Sequence, residues 1–267
     1  RVAKDNKKRV LFVEADNYNV LKAAEIVKVE DLCTPILLGN KEFISMLCEE
    51  HSIDLSGVEI IDVKDEDYRQ KRYEYAEIYW KMRERKGVTL SQARRRMRDR
   101  AYFGSMMLFN GEVDVFLSGV TRSYPEALRP PLEVIGTESD ILAGLYIIVT
   151  KKGPLFFADT TINKNPTEDQ LLEITLLTIK AVKRFGIKPV VSMLSYSNFG
   201  SSRDNHSDKI NNVIKRIHKT HPNLLIDGEM QANFALNKNK RDEVFSFSKL
   251  FNKKVNVLMF PNLESGN

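Results

Sequence analysis

The chain has 267 residues, 42% of them hydrophobic, with a formal net charge of +5, two cysteines and four histidines. That is enough apolar material to bury a core in one large domain or two small ones, and no compositional extreme marks a fibrous, disulfide-rich or low-complexity chain. No apolar run reaches the roughly 18 residues of a membrane span, and Cys33 and Cys48 form no CxxC pair or metal-ligand spacing, so the expectation is a cytoplasmic protein with reduced thiols, no metal and no membrane partner. The positive balance favours polyanions in general. Arg69 to Arg100 is rich in Arg and Lys, but Glu and Asp are interleaved, which reads as a solvated helical surface. No aromatic-interleaved basic stretch or reading helix points to nucleic acid.

In chain order, Arg9 to Ala15 is a short apolar run that predicts a buried strand. Helical spacing follows over Asn17 to Val29. Thr34 to Gly39 predicts a second strand, Lys41 to His51 a helix and Glu59 to Val63 a third strand. Such alternation argues for a parallel sheet covered on both faces. Tyr68 to Arg85 predicts a long helix ended by Gly87, and Thr89 is the expected N-cap of a helix over Leu90 to Arg100. A helix over Tyr102 to Asn110 and a strand over Val113 to Ser118 come next. Pro130 and Pro131 are expected to interrupt an element or to begin a helix.

Gly144 to Thr150 and Leu155 to Ala158, joined through Lys151 to Pro154, predict a hairpin. Thereafter the pattern predicts a helix over Thr167 to Phe185 closed by Gly186, strand Pro189 to Leu194, helix Asp208 to His218, strand Leu224 to Asp227 and strand Val255 to Phe260. Because the hairpin breaks the parallel alternation, the expected organisation is a first lobe over 1–140 and a second over 141–267, with a ligand cleft between them.

Four loops that follow apolar strands are crowded with small, polar or charged residues: Ser118 to Pro125, Asp159 to Pro166, Ser195 to Ser202, and Pro261 to Asn267. In parallel α/β sheets the ligand crevice lies beyond the carboxyl ends of the strands, where such loops offer N–H groups and hydroxyls to an anion. Arg129, held before two prolines, suits phosphate binding. Asp227-Gly-Glu-Met-Gln231 reads as a turn with a capping carboxylate rather than an acid/base pair. His51, His206, His218 and His221 fall on polar helices or loops and build no nucleophile–His–Asp arrangement, and neither GxGxxG nor GxxxxGK[ST] is present.

These stretches together, Ser118-Gly-Val-Thr through Ala127-Leu-Arg-Pro130, Phe157-Ala-Asp-Thr-Thr-Ile-Asn-Lys-Asn-Pro-Thr167, Met193-Leu-Ser-Tyr-Ser197, Asp227 to Gln231, and Asn256 to Leu263 with Ser265-Gly-Asn267, closely resemble the phosphate acetyl/butyryltransferase family in order and spacing along almost the whole chain. Within it, the Ser197-Asn-Phe-Gly-Ser-Ser202 loop, Asp227-Gly-Glu-Met and Pro261-Asn-Leu263 are more similar to the C-terminal region of large bacterial NADP-dependent malic enzymes than to free transacetylases.

The resemblance implies a two-lobed, three-layer αβα fold with mainly parallel sheets, of the isocitrate/isopropylmalate dehydrogenase-like type. It implies at least a dimer, with acetyl-CoA or another acyl-CoA bound between the lobes. It carries phosphate or acyl-CoA binding to Arg83, Arg129, Ser118, Thr121, Arg122, Ser195, Ser197, Asn198, Asn262, Ser265, Gly266 and Asn267. Guanidinium forks suit the pyrophosphate and 3′-phosphate of CoA. True transacetylases carry a Ser-Arg-Gly motif followed by an Asp, which would fall past Asn267. The start at Arg1 without Met and the stop after a turn suggest a piece of a longer chain, with helices that return to the first lobe absent. The expectation is therefore a regulatory acyl-CoA-binding region rather than a catalyst, with NADP and a divalent metal confined to an upstream malic-enzyme portion. An active phosphate acetyltransferase is the alternative.

Overall fold

The apolar run after Lys8 forms β1 (Arg9–Phe12), and its side chains alternate between two cores. Val10 and Phe12 pack with Val20, Leu21, Ala24 and Ile44. Leu11, with Val13 just beyond the strand, packs with Tyr75, Tyr79, Phe103 and Met106. A strand of period two that is apolar on both faces must be covered on both. The structure, a computed structural model, describes residues 2–202 and 204–267. By its internal contacts the chain divides into two units, one ending at Gly136 and the other beginning at Thr137.

In the first unit α1 (Val2–Asp5) precedes β1, and α2 (Tyr18–Val29), β2 (Thr34–Leu38), α3 (Lys41–His51) and β3 (Glu59–Ile61) follow. Asn17 and Asn40 cap α2 and α3 through their side-chain oxygens. Then come α4 (Arg69–Arg83), α5 (Leu90–Arg96), α6 (Arg100–Phe109), β4 (Val115–Leu117) and α7 (Tyr124–Val134). All strands are parallel in the order β3-β2-β1-β4. Helices α2 and α3 cover one face and α4 to α7 the other. The chain runs from β1 outward to β3 and then returns to the opposite side of β1, so the sheet reverses its direction of winding between β1 and β4.

Two expectations need correction here. The helix starting at Thr89 stops at Arg96, because Asp99 breaks it by capping α6, accepting the N–H groups of Ala101 at 2.8 Å and Tyr102 at 3.3 Å. Pro130 and Pro131 neither interrupt nor begin an element; both lie inside α7. An interior proline costs about 3 kcal/mol in an isolated helix. Here Pro130 and Val134 are buried, and Glu133 is held from outside the helix by Tyr79, Tyr102 and Arg96, so tertiary contacts offset the lost ladder bonds.

The second unit opens with the expected hairpin, β5 (Tyr146–Thr150) and β6 (Gly153–Ala158). After it come α8 (Glu168–Arg184), β7 (Val190–Leu194), α9 (Asn205–Thr220), β8 (Leu225–Met230), α10 (Ala232–Leu236), α11 (Lys238–Val244), β9 (Val257–Met259) and α12 (Leu263–Gly266). The order is β5-β6-β9-β7-β8, with only β5 antiparallel to its neighbour. Thr167 and Gln170 make a capping box at the start of α8. Helices α8 and α9 cover one face through Leu171, Ile174, Ile210 and Val213; Ala235, Leu250 and Val255 cover the other. Both sheets are open and neither closes into a barrel.

Here β8 continues through Met230, so Asp227 and Glu229 sit within a buried strand and not in a turn after it. Asp227 accepts from Ser248 Oγ at 2.8 Å and the Lys249 N–H at 2.7 Å. Helices α10 and α11 have five and seven residues, too short to show a helical period in the sequence. Fully buried Arg241 ties them down by donating to the carbonyls of Ala235, Leu250 and Lys253.

Candidate functional site

Because β1 and β4 pair in parallel, with Phe12 opposite Leu117, their carboxyl ends bring Glu14 beside the Ser118–Thr121 loop. Glu14 is 7% exposed and accepts Ser118 Oγ at 2.8 Å, the Gly119 N–H at 2.5 Å, and both the hydroxyl and the N–H of Thr121. Burial alone would raise the Glu14 pKa, but the bonds from Thr121, Gly119 and Ser118 outweigh it and hold the carboxyl at about 2. Gly119, at φ +109°, lets the loop curl round the carboxylate. Thus the donors of Ser118 and Thr121, read from the sequence as phosphate ligands, are spent on an internal anion. Arg122 likewise pairs with Asp99, its two terminal nitrogens at 3.3 and 2.8 Å from the carboxylate oxygens.

The two arginines singled out by the sequence differ. Arg83, at the end of α4, lies 3.9 Å from Glu133, and its buried Nε has no hydrogen-bond partner among the described residues. Glu133 also accepts Tyr79 Oη at 2.6 Å, Tyr102 Oη at 2.7 Å and Arg96 Nη1 at 2.8 Å. Burial pushes the Glu133 carboxyl up, but those hydroxyls and the charges of Arg96 and Arg83 bring it below its ordinary value. Arg129 lies one helical turn before Glu133 on α7, is exposed, and has no ion pair within 4 Å among the described residues. Of the two guanidinium groups, then, one is shared with an internal carboxylate and one is free.

In the second unit β7 and β9 lie side by side, and the loops at their carboxyl ends meet the start of α9 around a hollow of about 350 Å³. Its walls are Leu194, Ile210, Ala232 and Phe260, and its polar rim carries Ser195, Tyr196, His206, Asn262 and Ser265. A second hollow of about 720 Å³ shares His206 and Asn262 and adds Lys164, Asn165 and Asn267. The sequence-predicted residues divide between lining and scaffolding. Ser195, Asn262, Ser265 and Asn267 line these hollows. Ser197 is buried, donating to Glu229 at 2.9 Å, and Asn198 Oδ1 accepts the Gln231 N–H at 2.9 Å, so both pin the loop to β8. At Gly266 an added Cβ would come within 2.4 Å of the Asp159 carbonyl oxygen, so a close backbone approach requires glycine there.

Asp159 organises the loop after β6 by accepting N–H groups of Gly144, Thr161, Ile162 and Asn163 at 2.8 to 3.1 Å. Lys209 ties that loop to the one after β9: its ammonium donates to the carbonyls of Pro166 at 3.0 Å and Pro261 at 3.4 Å, and burial lowers its pKa. Sequence reasoning started this helix at Asp208, which left His206 outside it, and gave Lys209 and Ile210 no role at these loops. The available signal was Asp204, which caps α9 by accepting from His206 and Ser207 at 2.9 Å. Among the described residues no cluster of three His, Cys, Asp or Glu could hold a metal ion, and no helix is long and apolar enough to cross a membrane.

Compared with known proteins, residues 1–267 match the family model described as phosphate acetyl/butaryl transferase. The chain is 32% identical to the phosphate acetyltransferase of Clostridium acetobutylicum over 277 residues, covering 99% of this chain and 81% of that protein. It is 34% identical to an NADP-dependent malic enzyme of Haemophilus influenzae over 268 residues, covering 98% of this chain and only 35% of that protein. Among solved structures, the EutD phosphotransacetylase of Staphylococcus aureus superposes with a TM-score of 0.85 at 27% identity, over 100% of this chain and 81% of its own.

Proposed function

The chain belongs to the phosphate acetyl/butyryltransferase family, and we propose that within it this region binds acetyl-CoA as a regulatory and oligomerisation module of an NADP-dependent malic enzyme. The observation that carries this reading is the contrast between spent and free groups. The donors of Ser118 and Thr121 are committed to Glu14, Arg122 to Asp99, and Arg83 is shared with Glu133. These groups, read from the sequence as phosphate or acyl-CoA ligands, are therefore engaged internally. Each unit keeps a feature of its own that suits part of a phosphorylated thioester: exposed Arg129 in the first, and in the second the apolar hollow rimmed by Ser195, Asn262 and Ser265.

In this reading malate oxidation, with its NADP and divalent metal, belongs to a separate malic-enzyme portion. Acetyl-CoA acts by preferring one of two arrangements of an assembly that is at least dimeric. The match to the Haemophilus malic enzyme over 98% of this chain supports the branch. A second reading, an active phosphate acetyltransferase in which CoA thiolate attacks the acetyl phosphate carbonyl and phosphate leaves, is favoured by the 81% coverage of the Clostridium enzyme.

Two assays on the full-length protein separate the readings. Malate-dependent NADP reduction is expected to change when acetyl-CoA is added, while CoA acetylation from acetyl phosphate stays at background. Robust acetyl transfer, with malate oxidation indifferent to acetyl-CoA, would overturn the regulatory reading in favour of the second.

A further inference from the structure

The α4–α5 face of the first unit carries a second basic feature, independent of the acyl-CoA reading. Helical periodicity sorts the mixed charges of this stretch. Arg69, Arg72 and Tyr73 share one face of α4, and Arg94, Arg95 and Arg98 come from α5 and the turn after it. They surround a hollow of about 350 Å³ in which Glu66 is the sole carboxylate against five guanidinium groups. Glu74, Glu77 and Glu84, interleaved in the sequence, do not line it.

The geometry holds Arg72 and Arg94 in place without neutralising them. Arg72 Nη1 donates to the carbonyls of Val63 at 2.6 Å and Asp65 at 2.7 Å, contacts that fix the group and leave its charge. The Tyr73 ring has the Arg94 guanidinium at 5.1 Å and that of Arg69 at 6.0 Å from its centroid. Only Arg69 reaches Glu66, at 3.4 Å. Arg94, Arg95 and Arg98 meet no carboxylate within 4 Å among the described residues. Like charges gathered round one hollow repel each other, and a bound polyanion relieves that repulsion.

We propose that this hollow is a binding site for a small anion carrying two or three linked phosphates. A single phosphate engages one or two guanidinium forks, whereas a di- or triphosphate can use the several that converge here. Nucleic acid would call for an extended basic stripe, while this site is bounded by two helices. The same chemistry occurs in a free nucleotide and in the pyrophosphate of CoA, so the test must separate the two.

Calorimetry of the 267-residue chain with inorganic tripolyphosphate, ATP, CoA and inorganic monophosphate provides the test. Tripolyphosphate is expected to bind more tightly than monophosphate, weakening as salt is raised. The pair Arg94→Glu and Arg98→Glu, both at exposed positions, is expected to weaken tripolyphosphate and ATP by about tenfold or more with far-UV circular dichroism unchanged. Arg95→Gln alone, the milder variant, gives a smaller loss in the same direction. Tripolyphosphate that binds no better than monophosphate, or equally well to both variants, overturns the proposal. So does a short single-stranded oligonucleotide that binds more tightly and displaces tripolyphosphate. CoA affinity that falls with Arg129→Ala but not with the charge-reversed pair supports a nucleotide-type site separate from acyl-CoA. The reverse pattern keeps the hollow as the seat of the CoA phosphates and overturns the role given to Arg129.

Discussion

The carboxyl ends of β1 and β4 in the first unit and of β7 and β9 in the second occupy equivalent places, where neighbouring parallel strands end in loops rich in hydroxyl and amide groups. In the first, Glu14 fills the loop and uses its donors. In the second, Ser197, Asn198 and Lys209 brace the loops from behind, and Ser195, Asn262 and Ser265 line a hollow, with Ser265 Oγ donating to Asn262 Oδ1 at 2.9 Å. Similar loops at parallel strand ends thus form a closed electrostatic knot in one place and the wall of a hollow in the other. A Ser/Gly/Thr loop at a strand end is an offer of donors; whether a ligand or the protein's own carboxylate takes them depends on one neighbouring side chain.

The sharpest way to break that comparison is Glu14→Ala, which removes the buried acceptor that the Ser118, Gly119 and Thr121 donors share. It is expected to cost about 3 kcal/mol in urea unfolding. A pH series checks the same point. The folded Glu14 pKa of about 2 lies below its ordinary 4.5, so its stabilisation is fully present above 4.5 and is lost as pH falls through 2. Glu14→Gln should flatten that dependence, and an unchanged acid limb would show that the knot contributes nothing.

Arg129→Ala is next in size, with acetyl-CoA binding expected to weaken by about 1.5 to 3 kcal/mol, the scale of a charge-assisted hydrogen bond. Unaltered affinity by calorimetry removes Arg129 from the site. Lys209→Met keeps the apolar stem of the side chain but cuts the ties to Pro166 and Pro261. It is expected to cost about 1 kcal/mol and to speed amide exchange in both loops. The smallest effect is that of Asn262→Ala, which removes the acceptor that Ser265 N–H uses at 3.0 Å. It should cost at most about 1 kcal/mol and loosen residues 263–266 in hydrogen exchange, with little change at the Glu14 loop.

Much of the scaffold was legible because its signals are local. The strand at Arg9, the helix starts at Asn17 and Thr167, the cap at Thr89 and the hairpin through Lys151 lie where their short-range chemistry puts them. Legibility failed where distant partners override local preference. Two prolines lie inside α7 because Glu133 and the core hold it, and β8 runs through Asp227-Gly-Glu because distant partners reach in to it, Ser248 Oγ to Asp227 and Ser197 Oγ to Glu229 Oε1. At the site, the loops that bear Ser195 and Asn262 were readable, whereas nothing near Glu14 in the sequence announces that it will meet Ser118, 104 positions away.

By itself, then, the sequence determined the alternating α/β architecture, the polar loops at strand ends and the family resemblance, since periodicity, capping and turn chemistry act over a few residues. Only the tertiary structure decided which of those loops stay free, which arginines keep their charge and which hollow gathers them. Those outcomes depend on side chains far apart in sequence meeting across a sheet or between helices, where a few tenths of an ångström separate a spent donor from an available one.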